Sequence, residues 1–316
     1  MNKSFKILFV LLLSAMGLSA QQDAQYTQWM FNKLSLNPGY AVGTDYGCVS
    51  CLHRSQWVGL EGAPTSQSLN VRMPMLQRNA GLGLSVNHDK IGPTNSWSFS
   101  GIYAYRFRIN EKHSLGVGLQ GTLRRYQVDW ASTTTIQSGD GLVPMGNDSK
   151  VIPNFGVGLY YYTKDYFLGV SMPHILSGDL TMFDGPNGNS DFAREETHLF
   201  IMGGIVFEMT DAVKFKPSFL IKYVEDTPFD LDVNASFIFF DTFWAGLSYR
   251  LGGDNSSFGE SIDLILQLQA TKNIRVGFSY DFTLSKLKDY NNGTYELVLD
   301  YCLNPGNERL TNPRFF

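Results

Sequence analysis

Apolar residues alternate with small or polar ones in fourteen short segments spread over residues 45–303. In two of the clearest, Ala80, Leu82, Leu84 and Val86 alternate with Gly81, Gly83, Ser85 and Asn87, and Trp97, Phe99, Tyr103, Tyr105 and Phe107 alternate with Ser98, Ser100, Ala104, Arg106 and Arg108. A period of two places one set on each face of an extended strand. The pattern continues at residues 115–119, 155–161, 215–223, 231–239, 243–249, 262–268, 274–282 and 297–301. In the later segments the alternate positions hold Lys214, Lys216, Lys222, Asp230, Asp232, Asn234, Arg250, Asp263, Gln267, Gln269, Arg275, Asp281, Glu296 and Asp300. A face this charged does not form the dry core of a soluble sandwich, which is the competing reading of short alternating strands. The pattern predicts an all-β fold: a transmembrane antiparallel β-barrel of about 14 strands, preceded by a short periplasmic or luminal segment.

The connections give a second argument. Asn110-Glu111, Lys164-Asp165, Thr210-Asp211, Asp241-Thr242 and Lys272-Asn273 read as tight turns, and residues 88–94, 130–150, 173–193, 252–259 and 285–293 as longer loops. Alternation of short and long is the habit of outer-membrane barrels, with periplasmic turns and extracellular loops, and it predicts both termini in the periplasm. Trp97, Tyr126, Tyr166, Trp244 and Tyr249 stand near strand ends, where an interfacial aromatic girdle is expected.

The N-terminus sets the compartment. Lys3 and Lys6 precede an apolar run from Ile7 to Leu13, and Gly17, Ser19 and Ala20 follow, as in a secretory signal cut near Ala20. The expected organisation is a signal peptide at 1–20, a plug or docking segment at 21–44, a barrel at 45–303 and a periplasmic tail at 304–316, with no linker composition to divide the barrel. The leader holds two of the 25 basic residues, so 23 remain against 29 acidic ones. A mildly acidic chain without a basic cluster is not expected to bind nucleic acid.

Candidate chemistry is sparse. Cys48 and Cys51 form a C-x-x-C, but in a strand the i, i+3 spacing points the two thiols to opposite faces, which argues against a local disulfide or a redox pair. Cys302 lies on the last strand, beside the first in a closed barrel, so a bridge to Cys48 or Cys51 is open. His53, His88, His113, His174 and His198 show no metal-ligand spacing, and no nucleophile elbow or phosphate loop occurs. A Ser and a His assembled across neighbouring strands is the remaining route to hydrolysis. The expectation is no enzyme activity and no cofactor.

Lys214, Lys216 and Lys222 are expected to face Asp230 and Asp232 across a hairpin, as a structural lattice first and a binding surface second. Arg54 and Gln56 share a face, luminal if Trp57 points to the membrane interface, and Arg54 then needs a carboxylate from Glu296 or Asp300 on the closing strand.

Two blocks carry a family resemblance. One runs Asp23-Ala-Gln-Tyr26-Thr-Gln-Trp29-Met-Phe31-Asn-Lys-Leu34-Ser-Leu-Asn37-Pro38-Gly-Tyr40, followed by Arg54-Ser-Gln56-Trp57-Val-Gly59. The other runs Phe278-Ser-Tyr280-Asp281-Phe, then Gly293-Thr-Tyr295-Glu296-Leu and a terminal Asn312-Pro313-Arg314-Phe315-Phe316. Together they resemble the PorP/SprF family of Bacteroidetes outer-membrane proteins, associated with type IX secretion and gliding motility; the cysteine pair departs from the family pattern. The resemblance implies partners among type IX secretion components and a secreted client such as an adhesin, besides outer-membrane lipid. Trp29, Phe31, Leu34, Asn37, Pro38, Arg54, Gln56, Trp57, Asp281 and Glu296 are the expected partner-binding residues. The alternative reading is a porin or hydrophobic-solute transporter of the same architecture.

Overall fold

In the computed structural model, which describes residues 24–75, 79–130, 146–179, 194–224, 230–252 and 259–303, the alternating segments close into an antiparallel barrel of fourteen strands. They are β1 Cys48–Ser55, β2 Thr65–Met75, β3 Ala80–Ile91, β4 Thr94–Arg108, β5 Ser114–Asp129, β6 Asn147–Tyr162, β7 Tyr166–Met172, β8 His198–Ile205, β9 Val213–Val224, β10 Asp230–Phe239, β11 Phe243–Leu251, β12 Ser261–Gln269, β13 Ile274–Thr283 and β14 Thr294–Cys302. Each strand pairs with the next, and β14 returns to β1 in a register running from Cys48 opposite Cys302 to Ser55 opposite Tyr295. Past Ile205, Phe207–Thr210 continues against β9 with a register shift. Closure leaves no unpaired sheet edge, the condition for crossing a membrane as strands.

The outer face is apolar. Leu119, Leu123, Phe155, Leu247 and Leu297 are among many large hydrophobic side chains that are more than half exposed. An exposed apolar surface of this extent is unfavourable in water and favourable against lipid tails. The inner face buries the polar set: Arg54, Lys216, Asp232, Asn234, Arg250, Asp263, Asp281, Glu296 and Asp300 all face the lumen.

The two ends differ. The turn end carries the connections at 109–113, 163–165, 240–242 and 270–273, and the loop end those at 56–64, 130–146, 173–197, 252–260 and 284–293. Among the connections whose residues are all described, strict alternation fails at one place. Residues 88–91 belong to β3, whose register with β4 runs through Ile91 opposite Thr94, so a two-residue Gly92-Pro93 turn replaces the expected long loop. Gly92 has φ +53°, and a glycine with positive φ in the first position suits such a hairpin turn. Of the expected long loops at 130–150, 173–193 and 252–259, residues 147–150 belong instead to β6, while residues 131–145, 180–193 and 253–258, the expected signal peptide and the expected tail lie outside the described residues.

The girdle also needs correction. Trp97 and Tyr166 are exposed on the outside, but Trp244 is 2 % exposed and faces the lumen, and Tyr126 points inward, where Arg124 donates to its hydroxyl at 3.0 Å. The alternation that puts Phe243 and Leu247 outside requires Trp244 to be inside.

Candidate functional site

The lumen is occupied by the chain itself. Residues 24–46 form a 3-10 turn at Trp29–Phe31, a single helical turn at Lys33–Leu36 and a second 3-10 turn at Pro38–Val42. Pro38 opens the last of these with its φ preset and no N–H to satisfy, and the Asn37 side chain caps it by accepting from Gly39 N at 2.8 Å. Tyr26, Trp29, Met30, Leu34, Leu36, Tyr40 and Val42 pack with inward Leu52, Ile102, Tyr160, Phe167, Met202, Leu220 and Ile265 of the wall. The core of this protein therefore lies inside the barrel and is shared between wall and segment.

The wall is shaped for this occupant. Inward Gly81, Gly116, Gly118 and Gly158 on β3, β5 and β6 lie against Asn37, Pro38, Gly39 and Ala41 so closely that a Cβ at any of them would collide with that stretch. Asn37 also donates from Nδ2 to the Leu159 carbonyl at 2.9 Å, and Ser171 donates to the Leu36 carbonyl at 2.7 Å. At the turn end Arg106 donates to the Val42 and Thr44 carbonyls and pairs with Asp45.

Toward the loop end a clamp of charge holds the start of the segment. Glu296 accepts from the backbone N–H groups of Gln28 at 2.7 Å and Thr27 at 2.9 Å, and pairs with Arg54 Nη1 at 3.1 Å. Arg54 Nη1 lies 2.9 Å from Asp281 and donates to Thr27 Oγ1 at 2.8 Å, while Thr27 Oγ1 donates to Asp281 at 2.7 Å. A bent segment has few backbone partners of its own, and a luminal carboxylate supplies two of them. Further along the wall Arg250 pairs with Asp232 at 2.7 Å and Lys222 with Asp232 at 3.1 Å, and Gln25 donates to Asp230 at 3.1 Å.

The expected site residues thus fall into two groups. Trp29 and Leu34 are in the luminal core, Phe31 is partly buried against Arg275 and Lys216, Asn37 and Pro38 lie on the glycine floor, and Arg54, Asp281 and Glu296 form the clamp. Gln56 and Trp57 stand apart: β1 ends at Ser55, and Trp57, at φ +48°, lies in the loop that follows, where its N–H donates to Thr294 Oγ1 at 3.1 Å. Asp300, the alternative partner for Arg54, is taken by its cross-strand neighbour Arg275, whose Nε lies 2.9 Å away. Of the three lysines expected to face Asp230 and Asp232, only Lys222 reaches either acid. Lys214 pairs with Asp241 at the turn end, and Lys216 lies 5.5 Å from the Phe31 ring centre. The axial stagger along β9 separates them, because side chains six and eight residues from Lys222 sit far down the wall.

The five histidines occupy separate surroundings. His53 bonds Ser55 on the outer face, His88 stacks on Trp97, His113 meets Tyr161, His174 meets Arg124, and His198 bonds the Glu196 carbonyl. Cys48 and Cys302 form a disulfide across the β1–β14 seam, and Cys51 is an exposed free thiol on the other face.

Sequence reasoning missed three features: the glycine floor, Arg106 at the segment's exit, and a small loop-end cavity beside Tyr26 that is lined by Asn87, Asp89, Gln120, Arg124 and His174. The signal for the first was present, since those glycines fall on the inward phase of β3, β5 and β6.

Comparison with solved structures places the fold among outer-membrane barrels. The toluene transporter TodX of P. putida aligns with a TM-score of 0.51 at 9% identity, over 86% of this chain and 93% of that one. The Ralstonia pickettii toluene transporter TbuX aligns with a TM-score of 0.50 at 9% identity, over 85% and 92%. At such identities the likeness concerns the fold alone. No curated protein sequence matches the chain. A family model described as type IX secretion system membrane protein PorP/SprF matches residues 18–301, nearly the whole barrel and its luminal segment, and the chain belongs to that family.

Proposed function

We propose that this protein is a closed outer-membrane platform that supports type IX secretion, or the surface anchoring of a secreted client such as an adhesin, by protein–protein contact rather than by passing solute or by catalysis. The observation that carries this reading is the occupied lumen. A fourteen-stranded barrel is wide enough to admit solute unless something fills it, and here residues 24–46 do so with an apolar core, a fitted glycine floor and a charge clamp. A segment held this way is part of the fold, so the surfaces left for partners are the two rims. In this reading the turn end faces the periplasm, where the tail leaves β14, and the loop end faces outward. Ala24 then sits in the outward half of the lumen.

The test is recovery of partners from detergent-solubilised outer membranes with a tagged protein. Co-purification of a large secreted adhesin or of type IX components supports the reading. Their absence, together with solute uptake that depends on the protein, would support a transporter instead.

A further inference from the structure

Charge inside the lumen is unevenly distributed. Around the clamp, toward the loop end, Asp230, Asp232, Asp263, Asp281 and Glu296 outnumber Arg54, Lys222 and Arg250. Near the turn end the balance reverses. There Arg72, Arg275, Lys33 and Lys216 gather around Phe31 and Tyr40, and Asp300 is the one carboxylate among the described residues lining the space between them. Asp45, the other acid nearby, is engaged by Arg106.

Between the luminal segment and the wall, at this end, lie two small overlapping cavities that share Phe31, Tyr40, Arg72, Arg275, Asp300 and Cys302. Arg275 is turned toward Asp300 and stacks on Phe31 at 4.6 Å. Arg72 stacks on Tyr40 at 4.6 Å, and its Nη2 reaches the Cys48 sulfur at 3.4 Å, but its Nη1 is buried without a hydrogen-bond acceptor. Lys33 does not line either cavity: it is fully buried behind Tyr40, with its Nζ over the Phe167 ring at 4.6 Å and the Tyr40 ring at 5.1 Å and without an acceptor, so it adds to the positive surroundings and not to the lining. Trp244 Nε1, below Arg275, is a third buried donor without one. Guanidinium groups do not shed their charge, so two fixed positive charges face one carboxylate before either lysine is considered. Leaving such donors and charges buried and unmatched is unfavourable.

We infer that this turn-end cavity is a binding site for an oxyanion, a carboxylate or a phosphate, that bridges Arg72 and Arg275 and completes the charge balance of the lumen. Guanidinium edges suit the two oxygens of such a group, and the faces of Phe31 and Tyr40 hold both guanidiniums in place. Burial, reinforced by Lys216, Arg72 and Arg275, holds the Lys33 ammonium well below the usual lysine range, and a bound anion would oppose that effect. The anion has two possible sources: a small free anion, or a carboxylate on a polypeptide, including this chain's own tail, which starts beside Cys302.

The experiment is calorimetric titration of the purified full-length barrel in neutral detergent and chloride buffer with inorganic phosphate, glutarate and a short polyglutamate peptide, repeated on a chain ending at Leu303. Saturable binding is expected, weakened about tenfold or more in Arg72→Gln and in Arg275→Gln and only partly retained in Arg72→Lys, which keeps the charge but not the paired N–H edge. Each variant is first checked for heat-modifiable migration. Preference for phosphate or glutarate identifies a free anion, and preference for the peptide a protein carboxylate. Binding that emerges only after truncation supports the site and makes the tail its occupant. The inference is overturned if no probe binds either chain, or if binding survives unchanged in both Arg72→Gln and Arg275→Gln.

Discussion

Glu296 joins three parts of the fold: the backbone of Thr27 and Gln28, the guanidinium of Arg54, and the closing strand that carries it. Removing one member of a buried, hydrogen-bonded ion pair leaves the other uncompensated, at a loss of about 3–5 kcal/mol. Arg54→Ala should therefore lower stability by about that much in equilibrium urea unfolding in detergent, and Glu296→Ala by as much or more, since it also strips two N–H groups of their acceptor. In the double variant the two losses should not add, and additivity within a few tenths of a kcal/mol would deny the coupling. Arg54 and Glu296 were legible as partners because barrel closure and the inward phase of two strands bring them opposite each other. Asp281 was singled out for its motif, yet its contact with Arg54 spans β14 to reach the non-neighbouring strand β13 and depends on barrel curvature that sequence does not show. Trp244 and Tyr126 were misplaced for another reason: the expectation of an aromatic girdle overrode a strand phase that already assigned them to the lumen.

Among the elements, the seam and the glycine floor fix the barrel. The Cys48–Cys302 disulfide ties β1 to β14 across a sequence separation of 254 residues, and a cross-link closing a long loop stabilises mainly by restricting the unfolded chain, typically by about 2–4 kcal/mol. Cys48→Ser or Cys302→Ser should lower the temperature of heat modification, and reduction should do the same to the parent protein. Cys51→Ser should leave that temperature unchanged, and an equal drop in all three variants would show that the loss is not of the seam. Gly118→Val, which drives a side chain into Pro38 and Gly39, should loosen the segment and admit protease to residues 24–46 while the wall stays heat-modifiable; undiminished protection would show that the floor does not seat the segment. Strand number and most faces were legible from the period of two. Bond partners of a segment without periodicity were not, because they are set by tertiary fit. The Gly92-Pro93 turn was hidden because His88, Asp89 and Lys90 look like loop residues although β3 and β4 extend through them.

At the scale of the molecule, an apolar exterior and a closed sheet describe a barrel that sits in lipid, and on the proposed reading its filled lumen does not conduct. Orientation has its own test. An epitope inserted near Gly141 or Gly188, in loops outside the described residues, should be reached by antibody on intact cells, and one at Lys272-Asn273 should not; the opposite labelling would invert the proposed sidedness. The family and the barrel were both legible in the sequence, the first from motifs that prove to be the luminal segment and the clamp, the second from alternation. The closed lumen was only half legible: Trp29, Phe31 and Leu34 marked residues 21–44 as too apolar for water, but a plug and a docking arm have the same composition. Ion conductance across a planar bilayer tests closure most directly. The intact protein should give no steady channel currents, and deletion of residues 24–42 in a barrel that remains heat-modifiable should give stable openings. Steady, voltage-independent conductance of the intact, correctly folded protein would contradict the account.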